Sequence, residues 1–426
     1  MSKLAAPAQT LAQKIIAKAC GKPHVAVGEL VMCQVDLAMF HDSSGARRLK
    51  PMLEELGATI WDRNKVVQII DHYVPEADDD ARRIVRIARD WAREQALPHQ
   101  YDSEGICHVV LPQKGHVRPG MLCVGGDSHS CTGGAFGAYM FGIGATEMLG
   151  VVVTGEIWLR VPKTLRMRWD GALQKGVVAK DMMLHMIGRF GMNGGRYEAV
   201  EFAGQAVNNL GMAERMTLSN MSAEIGAQVG LIAPDDTTSD WLRSVAGVDL
   251  KPTFANWSSD PHADCEEHVF DATLLAPMVA APHSPANSQA VSAYGHEPIQ
   301  VAYIGACTGA KLEDLRAAAS VLKGRRVAPG VRLLVAPASE RDREVARAEG
   351  LVDILQDAGA SMLASSCGAC AGYGSAIEGA QQVISSTARN FKGRMGSADT
   401  GVFLASPYTV AASAVAGHIA DPRELM

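Results

Sequence analysis

The sequence predicts an α/β protein built on a largely buried parallel sheet, and two observations carry that prediction. Short runs of Val, Ile and Leu, such as QVAYIGAC (300–307) and VRLLVAP (331–337), read as strands buried on both faces. They alternate with segments that repeat apolar residues at helical spacing, such as KLEDLRAAASVL (311–322) and the stretch 340–351. Strand and helix patterns in alternation are the signature of α/β units.

The 426 residues exceed what a single hydrophobic core organises, so several domains are expected. From the N-terminus, MSKLAAPAQTLAQKIIAKAC carries a short helical pattern interrupted by Lys14 and Lys18, without the apolar stretch and cleavage site of a secretory leader. Residues 133–155, GGAFGAYMFGIGATEMLGVVVTG, are long and nearly uncharged, but Glu147 and repeated glycines argue for a buried loop and helix against a sheet rather than a membrane span. A soft boundary follows LRVPKTLRM near residue 160. The Pro, Ala and Ser-rich stretch 276–298, APMVAAPHSPANSQAVSAYGHEP, reads as a connection between domains. The expected units are therefore 1–160, 161–290 and 291–426. No internal repeat or low-complexity tract is evident.

Apolar content of 47% with 20% charged residues is ordinary for a globular protein. A formal net charge of −6 gives no electrostatic case for nucleic acid or an anionic membrane as partner. Nine cysteines, an odd number without regular spacing, read as reduced thiols of a cytoplasmic protein.

Three kinds of residue carry chemistry. Asp71 beside His72 in IIDHYVP, His108 in GICHVVLPQKG, and Asp127, Ser128 and His129 in VGGDSHSCTGG set carboxylates next to imidazoles, an arrangement that orients a ring and suits a general acid. Glu224, in the small and apolar SNMSAEIGAQVG, is costly to bury unless paired, and a histidine is a natural partner. Cys307 closes a strand in YIGACTGAKLEDL, and Cys367 and Cys370 lie three apart in ASSCGACAGYG. Such thiols could form a disulfide, half a zinc site, a redox couple, three ligands of an iron-sulfur cluster, or merely unrelated buried cysteines. Cys20, Cys33, Cys107, Cys123, Cys131 and Cys265 read as core or incidental thiols. Arg389 and Arg394 in STARNFKGRMG suit bidentate binding of carboxylates.

In order along the chain, VDLAMFHD, DHYVP, GICHVVLP, GGDSHSCTGGAFGAYMFGIG, NMSAEIGA, APHSP, IGACTGAKLEDL, SSCGACAG and ARNFKGRMG resemble the aconitase superfamily. Within it they resemble the large subunits of 3-isopropylmalate dehydratase, homoaconitase and dimethylmalate dehydratase. The resemblance runs from about residue 24 to the C-terminus. It implies a three-domain α/β/α assembly around a 4Fe-4S cluster held by Cys307, Cys367 and Cys370, with the fourth iron open to the hydroxyl and a carboxylate of a 2-hydroxy diacid. It implies the pairs Asp71 with His72, His108 with Asp127, and His129 with Glu224, with His72 protonating the departing hydroxyl and Ser128 shaping the site. His41 and the arginines Arg389 and Arg394 would meet the substrate carboxylates. Nothing here resembles the swivelling fourth domain, so the resemblance implies a separate small subunit as partner and slow turnover by this chain alone. Three positions depart from the family pattern: Gly309 where CTN is usual, Ala388 where NRNF is usual, and Gln113 in place of Glu. Fewer amide donors near the cluster make 2,3-dimethylmalate or a methylmalate an alternative substrate to 3-isopropylmalate. A cluster-sensing RNA-binding regulator is the reading from another class, and the acidic chain without basic stripes speaks against it.

Overall fold

The computed structural model describes residues 7–373 and 377–426. Residues 1–6 of the N-terminal stretch and Gly374, which ends ASSCGACAGYG, lie outside the described residues. Three larger sheets organise the chain. The first is wholly parallel, in the spatial order Gln100–Asp102, Val66–Ile70, Leu37–His41, Leu122–Gly125, Tyr139–Gly142. The second is also parallel, in the order Val229–Ile232, Ala199–Ala203, Thr164–Asp170, Glu266–Asp271. In the third, Gly401–Ala405, Gln382–Ser385, Val301–Ile304, Arg332–Val335 and Ala360–Met362 run parallel, and Met278–Ala280 and Ser288–Ala290 add antiparallel strands at one edge. An antiparallel ribbon pairs Leu30–Gln34 with Glu156–Arg160.

The α/β architecture follows from the patterns that predicted it. Leu37–His41, Val66–Ile70 and Val301–Ile304 are buried at every position, as a parallel sheet covered on both faces requires. The covering helices are amphipathic. Asp79–Glu94 turns Ala81, Ile84, Val85, Ala88, Trp91 and Ala92 inward, and the Asp78 side chain accepts from the Ala81 N–H at its start. The helix expected over 340–351 is two helices, Glu340–Ala348 and Leu351–Ala358, because Gly350 between them takes φ +74.

Two expectations are corrected. The stretch 276–298 is not a free connection: its Met278–Ala280 and Ser288–Ala290 segments are strands of the third sheet, so that sheet's contribution begins at Met278. Main-chain pairing, which small residues permit as well as large ones, outweighed its weak apolar periodicity. Residues 133–155 hold more than a loop and a helix, since the buried strand Tyr139–Gly142 lies between the 3-10 helix Ser128–Phe136 and the half-exposed helix Ala145–Thr154. Among the described residues, no helix is long and apolar enough to cross a membrane.

Parallel strands deliver their carboxyl ends to one edge of a sheet, where α/β proteins place their ligands. In the first sheet those ends carry His41, Asp71 with His72, and Asp127. In the third they lead to Cys307 and Arg389. The two edges are stitched together by backbone bonds from Ile106 N to Ala338 O (2.9 Å) and from Cys367 N to Asp71 O (3.0 Å).

Candidate active site

His41 and His72 stack with ring centroids 3.8 Å apart and planes 13° from parallel. The contact follows from register, since the strands Leu37–His41 and Val66–Ile70 are parallel neighbours with His41 opposite Ile69. Asp42, fully buried, fixes the second strand's end by accepting from the backbone N–H of His72 (3.1 Å) and Tyr73 (2.9 Å). Asp71 Oδ1 lies 2.7 Å from His72 Nδ1, while its Oδ2 accepts from Cys107 N at 2.7 Å. Burial disfavours both charges, yet the pairing outweighs it: His72 is raised to about 9 and Asp71 is held below its ordinary value. His72 is therefore protonated at neutral pH. With Nδ1 committed to Asp71, its Nε2 is the donor left for a substrate.

The neighbouring strand end carries Asp127. Its Oδ1 lies 2.7 Å from His108 Nε2 and accepts from His129 N at 2.7 Å, capping the 3-10 helix that Ser128 opens. Burial wins at His108, whose proton affinity falls, whereas Asp127 is held well below the carboxylate range by His108 and His129 in spite of burial. His129 Nε2 lies 2.9 Å from Glu224 Oε1, which also accepts from Arg389 Nε at 2.6 Å. Burial works against both partners, but the contacts carry His129 upward and Glu224 downward. The site thus sets two histidines of raised proton affinity, His72 and His129, beside one of lowered affinity, His108. Ser128 is exposed at the turn.

Cys307 stands three residues past the strand Val301–Ile304, after Ala306 at φ +68, a conformation costing an alanine on the order of 1 kcal/mol. Asn220 Nδ2 donates to Cys307 Sγ at 3.2 Å and to Thr132 Oγ1 at 2.7 Å. Cys367 precedes the 3-10 turn Gly368–Ala371 that holds Cys370. The neighbouring Cys367 thiol, with Arg394 alongside, draws Cys370 toward the thiolate despite burial. Burial, with the charge of Cys370 added, pushes Cys307 up to about 12. The three thiols therefore occupy one neighbourhood, and all nine cysteines are free.

This donor set fits the cubane that the sequence resemblance implied. Cys307 and Cys367 both interact electrostatically with Cys370, which is drawn toward thiolate, an amide N–H points at Cys307, and the buried atoms Asn220 Oδ1, Ser365 Oγ and Arg394 Nε have no partner among the described residues. Both ring nitrogens of His41 are likewise without a hydrogen bond, at 3.8 Å from Asp42 and 3.9 Å from Asp127.

Two of the three departures have a local partner. A Cβ on Gly309 would lie 2.2 Å from Ser386 Oγ, so no larger residue fits while that serine accepts from Gly305 N (2.9 Å). Ala388 is buried, and Gln113 Nε2 donates to Asp342 Oδ1 at 3.0 Å. Asn220 and Asp42 were missed from the sequence. Asn220 had a faint signal, four residues before Glu224, while Asp42 gave none beyond adjacency to His41.

The described chain is similar to known proteins over most of its length. A family model for the aconitase family (aconitate hydratase) matches residues 13–298 and 289–417. A 3-isopropylmalate dehydratase large subunit of Methanopyrus kandleri is 42% identical over 420 residues, covering 97% of this chain and 99% of that protein. A probable methanogen homoaconitase large subunit of Methanosarcina mazei is 43% identical, covering 93% of this chain and 100% of that protein. The crystal structure of holo aconitase X from Thermococcus kodakaraensis shares the fold, with a TM-score of 0.52 at 12% identity over 87% of this chain and 88% of that one.

Proposed function

The chain belongs to the aconitase family, and we propose that it is the large, cluster-binding subunit of a cytoplasmic hydro-lyase that interconverts a 2-hydroxy dicarboxylic acid, foremost 3-isopropylmalate, with its unsaturated diacid. The observation that carries this reading is the buried Asp71–His72 pair, whose backbone accepts from Cys367 N at 3.0 Å, so that a proton-loaded acid and the thiol set share one wall. Cys307, Cys367 and Cys370 would hold a 4Fe-4S cluster. When bound, the cluster supplies a Lewis-acidic iron lacking a protein thiolate, which polarises a substrate oxygen.

The chain's own residues do the rest. His72 delivers its Nε2 proton to the leaving hydroxyl, and Asp71 holds the ring in place and stabilises its charge. Arg394, with its buried Nε unpartnered, and Arg389, steadied by Glu224, bind the carboxylates. The free nitrogens of His41 meet a carboxylate oxygen, and the His108–Asp127–His129–Glu224 chain of contacts keeps the facing wall rigid. The base that removes the carbon-bound proton comes from a separate small subunit of the swivelling-domain type, in keeping with relatives that are named large subunits. No nucleic acid or membrane partner is required.

Gly309 and Ala388 favour a second reading of the substrate. With small residues at both positions the site offers fewer amide donors, which suits a less polar diacid such as 2,3-dimethylmalate or a methylmalate. The test is anaerobic reconstitution with iron and sulfide, addition of the small subunit, and absorbance of the conjugated diacid across isopropylmalate, dimethylmalate, methylmalate and homocitrate. Turnover of one identifies reaction and substrate together. A fully loaded complex that turns over none defeats the reading, as does a Cys367→Ser variant that keeps the cubane absorbance.

A further inference from the structure

Lys180 is the second residue of the helix Ala179–Phe190 and is 1% exposed. Its amine makes no ion pair among the described residues. It donates to three oxygens instead: Ser386 O at 2.6 Å, Thr387 O at 2.6 Å and Thr308 Oγ1 at 3.3 Å. Thr308 follows Cys307 directly, and Ser386 and Thr387 lead into Arg389. Thr308 Oγ1 also donates to Ser386 O at 2.9 Å, and Ser386 Oγ bonds Gly305, so the two loops clasp one another with Lys180 at the joint.

Burial, with the charge of Lys311 nearby, lowers the Lys180 amine to about 7; burying an amine without a carboxylate costs free energy that its hydrogen bonds must repay, and an apolar chain of similar volume would pack the same space. A lysine here therefore points to geometry rather than stability. We propose that Lys180 is a positioning residue: it holds the turn bearing Cys307 in register with the segment bearing Arg389, so that the iron-binding thiol and the carboxylate-binding guanidinium keep a fixed separation. This rests on the functional reading above.

Lys180 also lines a cavity of about 460 Å³, bordered by Glu214, Thr217, Thr308 and Asp314, through which a small amine could reach a truncated site. The test uses the reconstituted complex of large and small subunits. In Lys180→Ala the KM for the diacid rises roughly tenfold to a hundredfold with a smaller change in kcat, while iron and sulfide contents match the wild type. The diacid concentration needed to perturb the EPR spectrum of the reduced cluster rises in parallel. Propylamine restores KM in Lys180→Ala and propanol does not. Lys180→Met, which keeps the volume and removes the amine, shows the same rise in KM.

An unchanged KM in both variants overturns the proposal, and so does a rise that propylamine leaves untouched, since lost packing would then be the cause. Loss of cluster in both variants, or failure of Lys180→Met to fold, assigns the lysine to cluster retention or to the fold and likewise ends it. If the wild-type complex turns over no diacid, the functional reading has failed first. If the wild type is active and the variants match it, only the role of Lys180 falls.

Discussion

Asn220 donates its amide N–H to the sulfur of Cys307 across 3.2 Å, although 87 positions separate the two residues. The same amide nitrogen holds Thr132 Oγ1, so the bond ties the helix Met212–Met221 to both the Cys307 turn and the His129 turn. A donor aimed at a sulfur stabilises the thiolate over the thiol.

Asn220→Ala is therefore expected to weaken cluster retention by roughly tenfold to a hundredfold with the fold intact. The rate of cluster loss to a chelator, followed by visible absorbance, measures it. Retention equal to the wild type would show the bond to be incidental.

Asp71→Asn keeps the size of the side chain but cannot hold an imidazolium. kcat for dehydration should fall by roughly 10² to 10⁴, with little change in KM, because His72 loses its partner without leaving the site. Steady-state kinetics on the reconstituted complex checks both parameters.

Gly309→Asn would restore the family's usual residue at that position yet drive its Cβ to 2.2 Å from Ser386 Oγ. The expected cost is about 1–3 kcal/mol of stability. Adding Ser386→Gly should recover part of it, a coupling that a double-mutant cycle in urea reads directly.

Asp342 gives a pH-dependent prediction. Burial, with Glu313 adding repulsion, lifts its carboxyl to about 6. Between the ordinary carboxylate range near 4 and that value, the folded state binds the proton more tightly than the unfolded chain, so stability falls as pH rises through the window. Asp342→Asn should accordingly stabilise the protein at pH 8, by on the order of 2 kcal/mol, and change little at pH 4. Gln113→Glu removes the donor that faces Asp342 and adds a second carboxylate, so it should destabilise most at pH 8. Thermal midpoints at both pH values decide the two cases.

Much of this was legible in the sequence, and the reason differs between elements. Buried strands such as VAYI and the helix Leu312–Leu322 announce themselves because their periodicity is local. The DH, DSH and CxxC groups are legible for the same reason: neighbours in sequence at a strand end are neighbours in space. The stretch 276–298 was misread because strand pairing at a sheet edge needs only backbone, which leaves little trace in a Pro, Ala and Ser composition.

The sequence by itself determined the fold class and, through ordered motifs, the family. Only the tertiary structure decided which groups meet: His41 on His72, Asn220 on Cys307, Arg389 on Glu224, and Lys180 on the carbonyls of Ser386 and Thr387. It also decided that proton affinity rises at His72 and falls at His108, since a charge state depends on the balance between burial and partners supplied from distant segments. Local pattern is set by propensity over a few residues. Electrostatic identity is set by the packing of sheet edges that the chain brings together only when folded.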